Sequence, residues 1–198
     1  MPASHGIVVT GLLPAATAVM AVLRAGERPS VRFWLAALAG LACVLAFAAA
    51  QGAGGSEQAD ALLLAAVVLC ALGYAEGGVL ARKLGGVQVI YLALVLGLPL
   101  TLAITLVQLD PAALGRATPA AWAGFAYVSV ISSFAGFFGW YRGLALGGVA
   151  RVGQTQLAQP VPSLAWAWLL LLGEIVTPLM VAASLAVLAC VVAAQRTR

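Results

Sequence analysis

The stretch GYAEGGVLARKL, residues 73 to 84, sets one carboxylate, Glu76, behind a dozen apolar residues and six positions before Arg82. A helix spaces six residues by about 9 Å, so this acid stands inside an apolar segment. A charge near the bilayer centre costs roughly 2.5 to 3.5 kcal/mol on insertion scales, and less toward the interface. Glu76 must therefore face protein or water. It fits a proton-coupling site or a site for a substrate amine; the competing reading is a carboxylate that snorkels outward to pair with Arg82 or Arg142.

A second group forms a line. Gln156, Gln159, Ser163 and Trp166 fall at i, i+3, i+7 and i+10, one stripe of a 3.6-residue helix. Pro160 and Pro162 interrupt the same apolar segment; each removes a backbone donor, which membrane depth tolerates only where protein, water or ligand satisfies the freed carbonyl. The stripe and Pro160 are the candidate substrate-lining wall, with hydrogen bonding between helices as the competing account. Pro14 and Pro99 are candidates for similar breaks. Tyr91, one turn from Gln88, is a further lining candidate, whereas Trp140 and Tyr141 precede Arg142 and fit an interfacial anchor. Gly73 with Gly77, and Ser132 with Gly136, have the small-residue spacing that lets helices approach closely.

Catalytic chemistry finds little to work with. The one histidine is His5, no second acid accompanies Glu76 at helical spacing, and HExxH and phosphate-binding glycine loops are missing from the sequence. Cys43, Cys70 and Cys190 lie inside apolar runs without CxxC spacing and read as free, buried thiols. No metal or cofactor is expected.

These residues need long apolar elements to hold them, and the composition supplies little else. Of 198 residues 64% are hydrophobic and 8% charged, far from the roughly 25% charge of a soluble domain. A membrane span takes about 20 apolar residues. Such runs occur at 7 to 24, 33 to 50, 60 to 81, 88 to 107, 120 to 141, 149 to 172 and 176 to 195, predicting an all-α, multi-pass bundle of seven helices. Membrane strands alternate polar and apolar positions, and runs such as ALLLAAVVLCAL do not.

Nine of the ten basic residues then share one side: Arg24, Arg28, Arg32, Arg82, Lys83, Arg142, Arg151, Arg196 and Arg198. By the positive-inside rule that side is cytoplasmic, which puts the N-terminus outside and the C-terminus inside. Arg82, Lys83, Arg142 and Arg151 read as cytoplasmic anchors. Basic residues confined to short loops give no continuous surface for nucleic acid. The opening MPASHG has no charged leader and does not resemble a signal peptide.

An internal repeat adds to this picture. Residues 26 to 47 lie over 173 to 194 without a gap, with ten identities that include a Gly-Glu pair and the run LACV. Glu27 and Glu174 fall on opposite sides of the membrane, so the copies are inverted, an arrangement found in transporters.

The segments GLLPAATAVMAVLRAGERPS (11 to 30), FFGWYRGLALGGVARV (137 to 152) and QLAQPVPSLAWAWLLLLGE (156 to 174) resemble EamA-type transporters of the drug/metabolite transporter superfamily. The resemblance implies a ten-helix bundle of two inverted five-helix halves. On that template residues 1 to 50 supply the last two helices of the first half, 51 to 60 an external loop and 61 to 198 the second half. The first three helices have no counterpart. The implied function is export or exchange of small metabolites, amino acids or drug-like compounds among them, by alternating access in a bacterial inner membrane. The alternative is a truncated, transport-inactive membrane protein or a scaffold subunit. The expected partners are the lipid bilayer, a small-molecule substrate, and a second copy or another chain that completes the bundle.

Overall fold

The computed structural model describes residues 12–50, 57–159 and 178–196, and among these there is no strand. The elements are α1 (Leu13–Ala25), α2 (Val31–Ala50), α3 (Glu57–Leu84), α4 (Gly86–Gln108), α5 (Pro111–Gly115), α6 (Pro119–Ala126), a π-helical stretch (Tyr127–Ala135), α7 (Gly136–Gly147), α8 (Val149–Gly153), a 3₁₀ turn (Gln154–Ala158) and α9 (Pro178–Arg196). Each of the seven expected spans falls on described helix, the first, sixth and seventh only in part. Among the described residues three stretches are long and apolar enough to cross a membrane: Ala61–Leu84, Gly86–Gln108 and Pro119–Gly147.

Local chemistry explains the boundaries. Pro14 lies in the first turn of α1, where a missing N–H interrupts no helical bond, so it opens the described helix and does not break it. Gly26 ends α1 in the left-handed region (φ 66°), and the next N–H, that of Glu27, folds back onto Ala21 O at 3.1 Å. This is a Schellman-type closure. At the start of α2 the Ser30 hydroxyl accepts from the Phe33 N–H at 3.3 Å, and Thr118 caps α6 through the Ala121 N–H at 3.2 Å. Single left-handed glycines, Gly85 (φ 85°) and Gly148 (φ 86°), join α3 to α4 and α7 to α8. Pro99 sits inside α4, which continues through it to Gln108.

Two departures from plain α-helix stand out. The expected span 120 to 141 contains nine π-helical residues, Tyr127–Ala135. The sixth span turns 3₁₀ at Gln154–Ala158. Proline accounts for the second: Pro160 has no N–H to offer Gln156 O, and the Gln159 N–H takes that carbonyl instead, at 3.1 Å.

The chain divides into two compact units, Met1–Glu76 with Gly147–Arg198, and Gly77–Leu146. In the first, α2 packs along α9 and α1 along α8. The contact surfaces are made of small residues: Ala18, Ala21, Ala37, Ala150 and Ala194 are buried, and Leu157, Val187 and Val191 cluster with Cys43. Lipid tails are as apolar as leucine, so close backbone approach and not hydrophobicity holds such helices together. A Cβ on Gly40 would meet Leu157 Cδ1 at 2.9 Å and Cys190 Cβ at 3.3 Å. The cysteines are free and half-buried, less enclosed than expected.

In the second unit Gly77 packs against the ring of Tyr141, and the Tyr141 ring lies 5.7 Å from that of Phe137. Tyr141 is buried, so it is a packing residue and not the interfacial anchor its place beside Arg142 suggests. The Gly73–Gly77 pair also resolves unequally. A Cβ at 77 would run into Tyr141 Cε1, whereas one at 73 would meet nothing within 4 Å. Ser132 and Gly136 are both exposed in this structure. Gly77→Ala is therefore expected to lower stability by about 1–3 kcal/mol, and Gly73→Ala to leave it unchanged or raise it by up to about 1 kcal/mol through helix propensity. Thermal unfolding of the purified protein in detergent separates the two.

Candidate functional site

The polar groups of the first unit converge from both ends of the sequence. Closure of α1 by Gly26 carries Glu27 toward α8, where its Oε1 accepts the Val149 N–H at 2.7 Å and its Oε2 the Ala150 N–H at 2.9 Å. One carboxylate thus satisfies two of the orphan donors at a helix start. Gly148 turns the chain into α8 at φ 86°, a conformation that residues with a Cβ rarely adopt, while the space beside Glu27 would leave a Cβ in ordinary contact with Oε1. Below this clamp Gln154, 1% exposed, donates through Nε2 to Pro14 O at 3.0 Å. At the far end of α9, Gln195 Nε2 donates to Arg151 O at 2.7 Å.

Glu76 has a partner that the sequence reading did not name. Arg24 Nε donates to Glu76 Oε1, joining the last turn of α1 to the middle of α3. Arg24 was counted only as a loop cation, and Arg82 and Arg142 were the partners considered. The pair gives the acid a counter-charge within otherwise apolar helices, the arrangement in which an intramembrane carboxylate is affordable.

The stripe on the sixth span is described in part. Gln156 is half-buried, and its Nε2 is buried with no hydrogen-bond partner among the described residues, while Gln159 is exposed. In a 3₁₀ turn i and i+3 eclipse, so the two glutamines stay in line although the helix is not α. Pro160, Ser163 and Trp166 lie outside the described residues. Thr17 Oγ1, fully buried on α1, is likewise without a partner among the described residues. A Cβ on Gly153 would meet Thr17 Cγ2 at 2.8 Å, which shows how closely α1 and α8 approach.

The remaining candidates are on the second unit. Tyr91 is exposed and stacks edge-on against Phe134, ring centroids 5.6 Å apart; Gln88 is also exposed. Arg82, Lys83 and Arg142 are exposed, while Arg151, on the first unit, is half-buried. Sequence reasoning passed over Glu27 and Gln154 as site residues. The available signal for Glu27 was its isolation as the one acid in RAGERPSVR, beside a Gly-Gly pair opening a later helix. For Gln154 the signal was one more glutamine in QTQLAQ, on the turn before the stripe.

Glu27→Gln keeps one acceptor oxygen and should cost about 1 kcal/mol, and Glu27→Ala about 2 kcal/mol, as for loss of a helix cap. Gln154→Leu strands one of the Pro14 carbonyl's bonds within the packed interface and should cost about 1–3 kcal/mol. Unfolding midpoints in detergent give all three values.

Comparison with known proteins fits this architecture. The family model described as EamA-like transporter family matches residues 58–195. The chain is 49% identical over 201 residues to a protein of Bacillus subtilis (strain 168) named Uncharacterized transporter YdeK, across 98% of this chain and 67% of that protein. No solved structure matches the chain. Apolar helices of membrane-crossing length and these two matches lead to one conclusion: the chain belongs to the EamA-like transporter family of membrane proteins.

Proposed function

We propose that this chain moves small metabolites across a bacterial inner membrane by alternating access, with the N-terminus outside and the C-terminus cytoplasmic, and that the Arg24–Glu76 pair lies in its working site. The observation that carries the reading is that ion pair, which ties the last turn of α1 to α3 with both side chains partly exposed and so open to exchange. Ionisable residues on membrane helices mark substrate or ion pathways. A substrate amine or a proton that takes the place of the guanidinium at Glu76 releases Arg24, and the pair re-forms when the substrate leaves. That exchange biases two arrangements of the same helices, which is what a coupling step requires. Amino acids and other small charged compounds fit such a pair. Gln156 Nε2 supports the reading as a buried donor without a partner among the described residues, and the sequence stripe through Gln159, Ser163 and Trp166, with Pro160 beside it, extends the proposed wall.

In proteoliposomes, Glu76→Gln and Arg24→Gln should each reduce substrate flux by roughly tenfold with insertion intact, a loss of transition-state stabilisation and not of folding. The double exchange Arg24→Glu with Glu76→Arg should keep the protein folded but not restore flux. Recovery of flux by the exchange, or flux within twofold in the single variants, would return the pair to a structural role, and no substrate-dependent flux in the wild type would make the chain a scaffold. Gln156→Leu and Gln159→Leu should weaken substrate binding by about 1 kcal/mol or more, the value of a lost hydrogen bond, without changing yield. Equal binding would assign both to helix packing.

A further inference from the structure

A second polar feature lies at the end of the first unit where α1 turns into α2. A cavity of about 260 Å³ is lined by Glu27, Arg28, Pro29, Ser30, Phe33, Gly147, Ala150 and Arg151. Its charges do not cancel, because two guanidiniums stand against one carboxylate. That carboxylate is also engaged, since both Glu27 oxygens accept backbone N–H groups of α8. The start of α8 is thereby filled from within the chain and offers no place for another anion. Ser30 Oγ accepts from the Phe33 N–H, which leaves the hydroxyl proton to donate. The first turn of α2 contains no acid to offset Arg28 and the adjacent Arg32. The lining is thus a set of donors with surplus positive charge, suited to a phosphate group, which arginine grips through paired N–H bonds.

Position decides which phosphate. The loop of residues 26–30 joins two apolar helices, so it lies at the depth of the lipid headgroups whichever leaflet it meets. Leu23, Val31 and Leu35, which flank this loop in sequence, are 68%, 76% and 65% exposed and give its helices apolar side chains to set against lipid. Buried Phe33 forms its floor. Basic pockets between membrane helices hold anionic headgroups in this way.

We infer that the cavity between the α1–α2 turn and α8 binds the phosphodiester headgroup of an anionic membrane lipid, with exposed Arg28 and the Ser30 hydroxyl as its donors and Arg151 adding positive charge to the lining. The site is separate from the Arg24–Glu76 pair and does not rest on the transport reading.

Native mass spectrometry of the detergent-purified protein, titrated with phosphatidylglycerol, phosphatidylcholine or inorganic phosphate, tests this. The wild type should retain phosphatidylglycerol in preference to phosphatidylcholine, and Arg28→Gln should bind it about fivefold more weakly, the effect of one basic residue at a membrane surface. Arg28 is exposed, so this variant is not expected to disturb folding. Arg151→Gln should act in the same direction, and Lys83→Gln, outside the cavity, should change nothing. Equal retention by the wild type and Arg28→Gln would overturn the assignment. So would displacement of the lipid by millimolar inorganic phosphate, which would make the ligand a soluble anion.

Discussion

The first unit depends on one carboxylate. Glu27 is 122 residues from Val149 in sequence, yet its two oxygens close the start of α8. Three local conditions must hold together for this to happen. Gly26 must turn left-handed to redirect the chain after α1, Gly148 must do the same before α8, and neither position can carry a side chain without strain. Once the clamp is made, α1 lies along α8 closely enough for Thr17 to meet Gly153, and Gln154 reaches the carbonyl of Pro14. The hydrophobic effect gives no such register in lipid, so directional polar bonds at helix ends and small residues along helix faces must supply it.

The same logic separates polar groups that hold the bundle from those that are available for work. Glu27, Gln154 and Gln195 spend their bonds on backbone groups of other elements. Glu76 spends its charge on a side chain, a partner that a ligand or a proton is able to replace without unravelling a helix. Gln156 holds a buried donor with no described partner. A transporter needs both classes, a scaffold that stays closed and a few groups whose partners change.

Much of the architecture is written in hydrophobic run length. The seven apolar runs fall on described helix, three of them in part, because spanning lipid leaves little choice, and an 18-residue run such as 33 to 50 has one favourable conformation there. Pairing across the chain is written far less plainly. Nothing within GYAEGG says that its acid meets Arg24, because the partner is 52 residues away and Arg82 is nearer in sequence. Tyr141 was misread for a related reason: aromatic residues next to arginine mark interfaces on average, but a glycine at 77 opens a recess that the ring fills. The 3₁₀ turn before Pro160 was legible in principle, since proline withholds the N–H that Gln156 O needs. Gln156 and Gln159 stay on one side because i and i+3 are neighbours in an α-helix and eclipse in a 3₁₀ turn.

The π-helical stretch Tyr127–Ala135 has a consequence for how the helix around it is to be read. Each of its i→i+5 turns encloses one residue more than an α turn. The angular phase of α6 therefore does not carry over to α7, although the three segments run as one rod from Pro119 to Gly147. A residue-by-residue scan of labels or cysteines along this rod would not fit a single periodic wave. It would fit two waves offset across the wide turns, and a single-residue deletion within them would rotate one flank against the other while leaving each flank helical.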